Sequence, residues 1–402
     1  MRGLRKTENG LSKEAKVLER KETVGCKGQA NFLKEYYSIL RAMSVVNYGV
    51  FTWEEGRRRL FPASVYAKIV QNVFSVISVG LGLVYTYAML SSDYVDINKL
   101  EIHNLAVLSA DMVVVLVHLN QFVVDFSLYK FNAEITQCVN AMLNLEEYGR
   151  GEFQAIGNWS RSFELICKAM RFLRNGGILL VFFFFFRETS VEALFCHYGF
   201  VGRLIYATVG LLYFVRLMVT INFHMVVNFG HYEFMQFWIR QLINSTRQDQ
   251  SWENTKRCID FYQMLVLQQN LQAAAFGEFY LPVGTGVLGV SIFWAIICTE
   301  KLKAHLAVRT LFFWCTWMAL MSLYLQYSQC TKIHLLSRQF KSSIRSKTNV
   351  SMYKVWNVYR RSLRPITVKF GSFGSGSMVA FFKITIEICN YYVLVSSLYA
   401  HK

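Results

Sequence analysis

The sequence predicts an all-α membrane protein of seven transmembrane helices, with the N-terminus cytoplasmic and the C-terminus extracellular. Three observations carry that prediction. Of the 402 residues, 53% are hydrophobic and 16% aromatic, and only three are proline. The apolar residues gather in blocks of about twenty, the length of helix that crosses a hydrocarbon core. The net charge of +17 is carried by cations between those blocks, where they set orientation in a bilayer. At about 150 residues per domain the length would allow two or three soluble domains, but the block spacing excludes that reading. Cations spread between apolar blocks also argue against nucleic acid as a partner, because no soluble basic face is formed.

The first 64 residues read as a cytoplasmic N-terminal region. Their opening, "MRGLRKTENGLSKEAKVLERKETVGCKGQA", has no apolar core, so no cleaved signal peptide is expected. Residues 65–330 hold the first six helices: Ile69–Leu90, Ile102–Phe126, Met170–Thr189, Phe200–Phe229, Leu281–Thr299 and Thr310–Ser328. The third of these begins among Lys168, Arg171 and Arg174, whose long side chains can snorkel to one interface. Residues 331–377 form a basic cytoplasmic loop that ends in the Gly-rich "FGSFGSGS". That run lacks a following Lys-Ser/Thr, so it reads as a hinge before a membrane helix and not as a phosphate loop. Residues 378–402 hold the seventh helix.

Lys and Arg orient the helices. They crowd the stretch from Arg2 to Lys68 and the loop from Lys332 to Lys369, which has no acid at all. On the other side, Ser91–Glu101 is net acidic and only Glu300–Arg309 is basic. The positive-inside rule therefore places the basic side in the cytoplasm. A G-protein-coupled receptor would be inverted, and it would carry Asp-Arg-Tyr and Asn-Pro-x-x-Tyr signatures that are missing here. A secondary transporter would show internal repeats or interrupted helices. No His/Cys cluster has metal-ligand spacing, and HExxH is absent, so neither a cofactor nor enzymatic chemistry is expected. Of the nine cysteines, Cys196 lies in an outer loop and Cys298 near the outer end of the fifth helix. Whether they pair stays open at this point.

The last helix raises a question of its own. "MVAFFKITIEICNYYVLVSSLYA" is long enough to span, yet it holds Lys383, Glu387, Asn390, Ser396 and Ser397. A charge at the bilayer centre costs roughly 2.5–3.5 kcal/mol on insertion scales. Glu387, Tyr391, Leu394 and Leu398 recur at helical spacing, with Asn390, Leu394 and Ser397 adjoining. Such a face either lines a pore with an apolar constriction or supplies hydrogen bonds between helices. Lys383 and Glu387, four apart, could also neutralise each other. Asp111 on the second helix and Arg216 on the fourth are equally deep in apolar surroundings. They read as a buried pair, or Asp111 as a ligand contact. Tyr206, Tyr213, Phe293, Trp294, Trp314 and Trp317 fall in the outer halves of the fourth to sixth helices. There they could line a small-molecule pocket, pack, or sit in an aromatic belt.

Seven helices, an inside N-terminus, a basic loop before the last helix and almost no tail resemble the insect gustatory receptor family. Its motif in the last helix is Thr-Tyr, five apolar residues, then Gln-Phe. Here the corresponding stretch is "NYYVLVSSL". Asn390 stands for the Thr and Tyr391 keeps the Tyr, while Ser397 and Leu398 replace Gln and Phe. The resemblance implies a homo- or heterotetrameric ligand-gated cation channel in the plasma membrane of sensory neuron dendrites. Four last helices would surround its pore, with Glu387, Asn390, Tyr391, Leu394, Ser397 and Leu398 on the pore or gate. A small-molecule tastant, with a bitter or aversive plant compound the expectation, would bind in the outer half of each bundle. Membrane lipid and other receptor subunits are the remaining partners implied.

Overall fold

Hydropathy sets where helices must form, because lipid leaves no water to satisfy a bare backbone. The computed structural model describes residues 51–54, 59–62, 64–91, 102–153, 168, 199–278, 280–301, 306–344, 357–370 and 374–400. An antiparallel hairpin, β1 (Phe51–Glu54) and β2 (Arg59–Pro62), precedes the helices. They are α1 (Val65–Ser91), α2 (Ile102–Lys130), α3 (Asn132–Phe153), α4 (Gly199–Gln248) and α5 (Trp252–Gln272). A π-helical turn, Ala273–Gly277, leads into α6 (Tyr280–Lys301), followed by α7 (Leu306–Ser343) and α8 (Met378–Ala400). A short helix also covers 357–362.

Among the described residues, Val65–Val84, Tyr280–Ile297 and Met378–Val395 are long and apolar enough to cross a membrane. The blocks Ile102–Phe126, Phe200–Phe229 and Thr310–Ser328 lie inside α2, α4 and α7. The expected third helix, Met170–Thr189, falls outside the described residues, as do Cys196 and the first fifty residues.

The loop between the sixth and seventh spans departs from expectation. Residues 331–343 continue α7 as helix, and 363–370 run as an irregular segment with an isolated bridge from Lys369 to Ser375. The same happens elsewhere: α4 runs 50 residues, far beyond a bilayer's requirement. With α3, α5 and the end of α7 it builds an extramembrane helical unit that holds most of the core. Trp238, Phe261, Tyr262, Leu265, Ile333 and Phe340 are all fully buried there. Gly149 of α3 sits flat against Trp238 and Phe261, where a Cβ would come within 2.6 Å of the indole. The buried carboxyl groups Glu146 and Glu233 of this unit are hydrogen-bonded. Glu146, 1% exposed, accepts hydrogen bonds from Arg150 Nε at 2.6 Å and Trp238 Nε1 at 2.8 Å. Glu233 accepts from Gln329 Nε2 at 3.0 Å, and Gln329 Oε1 accepts from Gln236. Burial raises the Glu233 carboxyl above the usual carboxylate range, while nearby Arg240, Lys332 and the Gln329 bond pull it back.

The extramembrane unit meets the membrane helices at one level. His224 of α4 stacks on Tyr280 at 4.0 Å, Phe223 stacks on Phe51 of the hairpin, and Met378 N donates to Thr331 Oγ1 at 3.0 Å. The described parts of the Gly-rich run, Phe370 and residues 374–377, pack against each other there. Phe370 N donates to Gly374 O and Gly376 N to Val368 O, each at 2.8 Å. Gly374 has φ +85°, a conformation side chains rarely tolerate. Phe370 lies parallel to Tyr327 at 5.0 Å and covers Gly376 so closely that a Cβ would sit 2.1 Å from the ring.

Candidate functional site

The last helix starts where the Gly-rich run delivers it. Ser377 Oγ accepts the Ala380 N–H at 3.4 Å as an N-cap, and from Met378 to Ala400 no Gly or Pro interrupts the helix. At about 100° per residue its side chains divide into three stripes. Phe381, Ile384 and Ile388 pack inward: Phe381 onto Tyr324 and Tyr327 of α7, the two isoleucines over Gly289 of α6. A second stripe holds Lys383, Glu387, Asn390, Leu394 and Ser397, all exposed in the single chain. A third, also exposed, is apolar: Phe382, Ile386 and Val393.

Among the described residues, the polar stripe meets no ion-pair partner on a neighbouring helix. Ser397 Oγ donates to its own backbone at Leu394 O, 2.8 Å away. Lys383 and Glu387 are both exposed, and no ion pair joins them, so mutual neutralisation is not what holds them there. Tyr391, 59% exposed, lies between the packed and polar stripes, its ring meeting Phe293 of α6 edge-on at 6.5 Å. The side chain of Leu398 is outside the described residues. Left facing lipid, Glu387 and Lys383 would cost roughly 2.5–3.5 kcal/mol each. The stripe therefore belongs against water or other protein.

Of the expected pocket residues, the structure unites few. Phe293 packs on Trp294 at 5.2 Å and touches Tyr391, joining one expected ligand residue to one expected pore residue. Trp314 is half-buried and Trp317 is 54% exposed, both on α7. Asp111 lies on α2, and Tyr206, Tyr213 and Arg216 on α4. Their side chains are outside the described residues, so the Asp111–Arg216 pair is too.

A cleft of about 80 Å³ does open between α2, α6 and α7, nearer the extramembrane end than the expected aromatics. Asn120, Tyr280, Thr285, Ser322 and Gln326 give it polar tips on an apolar wall of Leu281, Leu288 and Leu323. The sequence reading did not single these residues out, because they form a cluster only when α2, α6 and α7 pack together. Asp125 escaped it too. This carboxylate, 1% exposed, accepts from Ser75 Oγ at 3.0 Å and Gln121 Nε2 at 2.7 Å, tying α1 to α2.

No protein-family model and no curated protein matches the sequence. Among solved structures the fold is similar to the insect olfactory receptor OR5 from Machilis hrabei. The TM-score is 0.63 at 10% identity, over 91% of this chain and 98% of that one. The same receptor in complex with eugenol matches with a TM-score of 0.54, at the same identity and coverage. A likeness at 10% identity is one of fold, and it extends over nearly the whole of both chains. These neighbours are olfactory receptors, not enzymes.

Proposed function

We propose that the chain is a chemosensory receptor of the insect gustatory type that works as a ligand-gated cation channel or a subunit of one. The observation that carries this reading is the polar stripe of α8. A helix that exposes Glu387, Asn390 and Ser397 beside an apolar stripe suits a position between a water-filled pore and neighbouring subunits. Four copies, or a mixture with related subunits, would close the ring. The fold likeness to an insect olfactory receptor supports the reading, and the complex of that receptor with eugenol supports a small organic ligand for this one. Taste, with bitter or aversive compounds as the ligand class, rests on the resemblance at Asn390–Leu398. A G-protein-coupled receptor is not favoured, given this fold and the side on which the basic loops lie.

With the C-terminus outside, α8 runs outward and Glu387 lies inward of Leu394. A ring of carboxylates there would concentrate cations, and Leu394, about two turns further on, would form the constriction that closes by dewetting. Phe293, touching Tyr391, would connect an α6 wall of the ligand pocket to the gate. The test is a cysteine scan from Glu387 to Leu398 in cells expressing the chain, alone and with candidate partner subunits. Aqueous thiol reagents should block current at positions 387, 390, 394 and 397 and spare those between. Block without periodicity, or none, would remove α8 from the pore.

A further inference from the structure

A second, larger pocket of about 590 Å³ lies in the extramembrane unit, just short of the membrane helices. One wall is the end of α5 and the π-helical turn, which contribute Asn270, Ala273 and Glu278; the other is the segment 363–370 leading towards the last helix. Along that segment burial alternates. Ile366, Val368 and Phe370 face the core, while Thr367 and Lys369 are exposed at the pocket, as is Arg364 just before them. The segment is held firmly. Tyr262 Oη donates to Arg364 O at 2.9 Å, Ile366 N donates to Ser337 Oγ at 3.0 Å, and Lys341 Nζ donates to Leu363 O at 2.9 Å. Gly277 abuts the Lys369 carbonyl, which a Cβ would approach to 3.1 Å. Both walls are therefore fixed, and the pocket is a built one.

Its chemistry follows from the lining. Arg364 and Lys369 make no ion pair among the described residues, and the lining sets these two cations against a single carboxylate, Glu278. Gln269, buried in the same wall, is already engaged with His231 and Gln272. The donors left at the pocket are the Asn270 amide, the Thr367 hydroxyl and the two cations, which suits phosphoryl oxygens. Val266, Ala273 and Pro365 add an apolar side. The volume is within the range of organic ligand sites and exceeds what a bare anion fills. Its level matters as much. Glu278 is two residues before the apolar stretch Tyr280–Ile297, which puts the pocket where lipid headgroups begin.

We infer that this pocket binds the phosphorylated headgroup of an anionic inner-leaflet lipid, and so couples the segment before α8 to membrane composition. The leaflet assignment rests on the orientation adopted above. The probe is dioctanoyl phosphatidylinositol 4,5-bisphosphate, titrated against the full chain in an uncharged detergent, with inositol trisphosphate and inorganic phosphate as parallel arms. The lipid should bind, and Arg364→Gln with Lys369→Gln should weaken it by about tenfold or more, as expected for charge-assisted hydrogen bonds. Glu278→Gln should tighten it. Lys332→Gln with Arg338→Gln removes the same charge from exposed positions on α7 and should change affinity by less than about twofold. Equal losses in the two double variants would reduce the effect to general field and overturn the site. Equal binding of inositol trisphosphate or phosphate would make it a free-anion site and overturn the lipid. Failure here beside a periodic cysteine scan would sink this inference alone, whereas a glycan on Asn244 would sink the orientation and the inner-leaflet assignment together.

Discussion

Gly374 and Gly376, two residues apart in the turn before α8, are required for different physical reasons, and that difference can be measured. Gly376→Ala places a methyl 2.1 Å and 2.9 Å from two Phe370 ring carbons and 3.2 Å from the Cys330 Cβ. Nothing can give cheaply, because Phe370 is stacked on Tyr327, which in turn borders Phe381 of α8. Overpacking a tight site costs about 1–3 kcal/mol, and displacing the ring forfeits an aromatic pair worth about 0.5–1.5 kcal/mol. The expected total is about 1.5–4.5 kcal/mol by those two figures. At Gly374 the obstacle is backbone alone: φ is +85°, and a Cβ would meet nothing within 4 Å. Alanine there should cost about 1–2 kcal/mol. The assay is thermal unfolding of each variant in one detergent, followed by gel-filtration fluorescence. Phe370→Leu supplies the cycle. It should relieve Gly376→Ala, so that the double variant is milder than the sum by at least about 1 kcal/mol. With Gly374→Ala it should add. If Gly376→Ala melted like the parent, or if both cycles were additive, the packing of Phe370 on Gly376 would be refuted and the run would be a free hinge.

Other expectations are shorter to state. The carboxyl of Glu233 is held above its ordinary value by burial. Its charged form therefore opposes folding, and stability contributed by the neutral form is lost as pH rises from the ordinary glutamate range through the raised value. Glu233→Gln keeps an acceptor for Gln329 and should raise the melting midpoint at neutral pH, with the gain shrinking as pH falls into that range; a constant gain at all pH values would count against the desolvation argument. The sequons at Asn158, Asn244 and Asn349 lie on the side assigned to the cytoplasm, so none should be glycosylated. A glycosidase-sensitive mass shift abolished by Asn158→Gln, Asn244→Gln or Asn349→Gln would reverse the orientation.

Much of the architecture was written locally in the sequence. A bilayer forces the backbone into helices of known minimum length, so apolar blocks announce α1, α6 and α8 and the membrane parts of α2, α4 and α7. The composition of α8 also shows unaided that one face carries Lys383, Glu387, Asn390 and Ser397. Only the tertiary structure decided that this face stays exposed among the described residues, because exposure depends on which other side of the helix packs. It also decided that Ile384 and Ile388 take the α6 side and that Phe293 meets Tyr391. Nor could hydropathy reveal the extramembrane unit. There α3 and α5 mix charged and apolar residues as any soluble helix does, and their core forms between segments far apart in the chain. Glu146 is satisfied by Trp238, 92 residues away, and Glu233 by Gln329, 96 away. A buried carboxylate and a surface one look the same in a sequence. What separates them is desolvation and a hydrogen-bond donor brought to within 3 Å, and both exist only once the chain has folded.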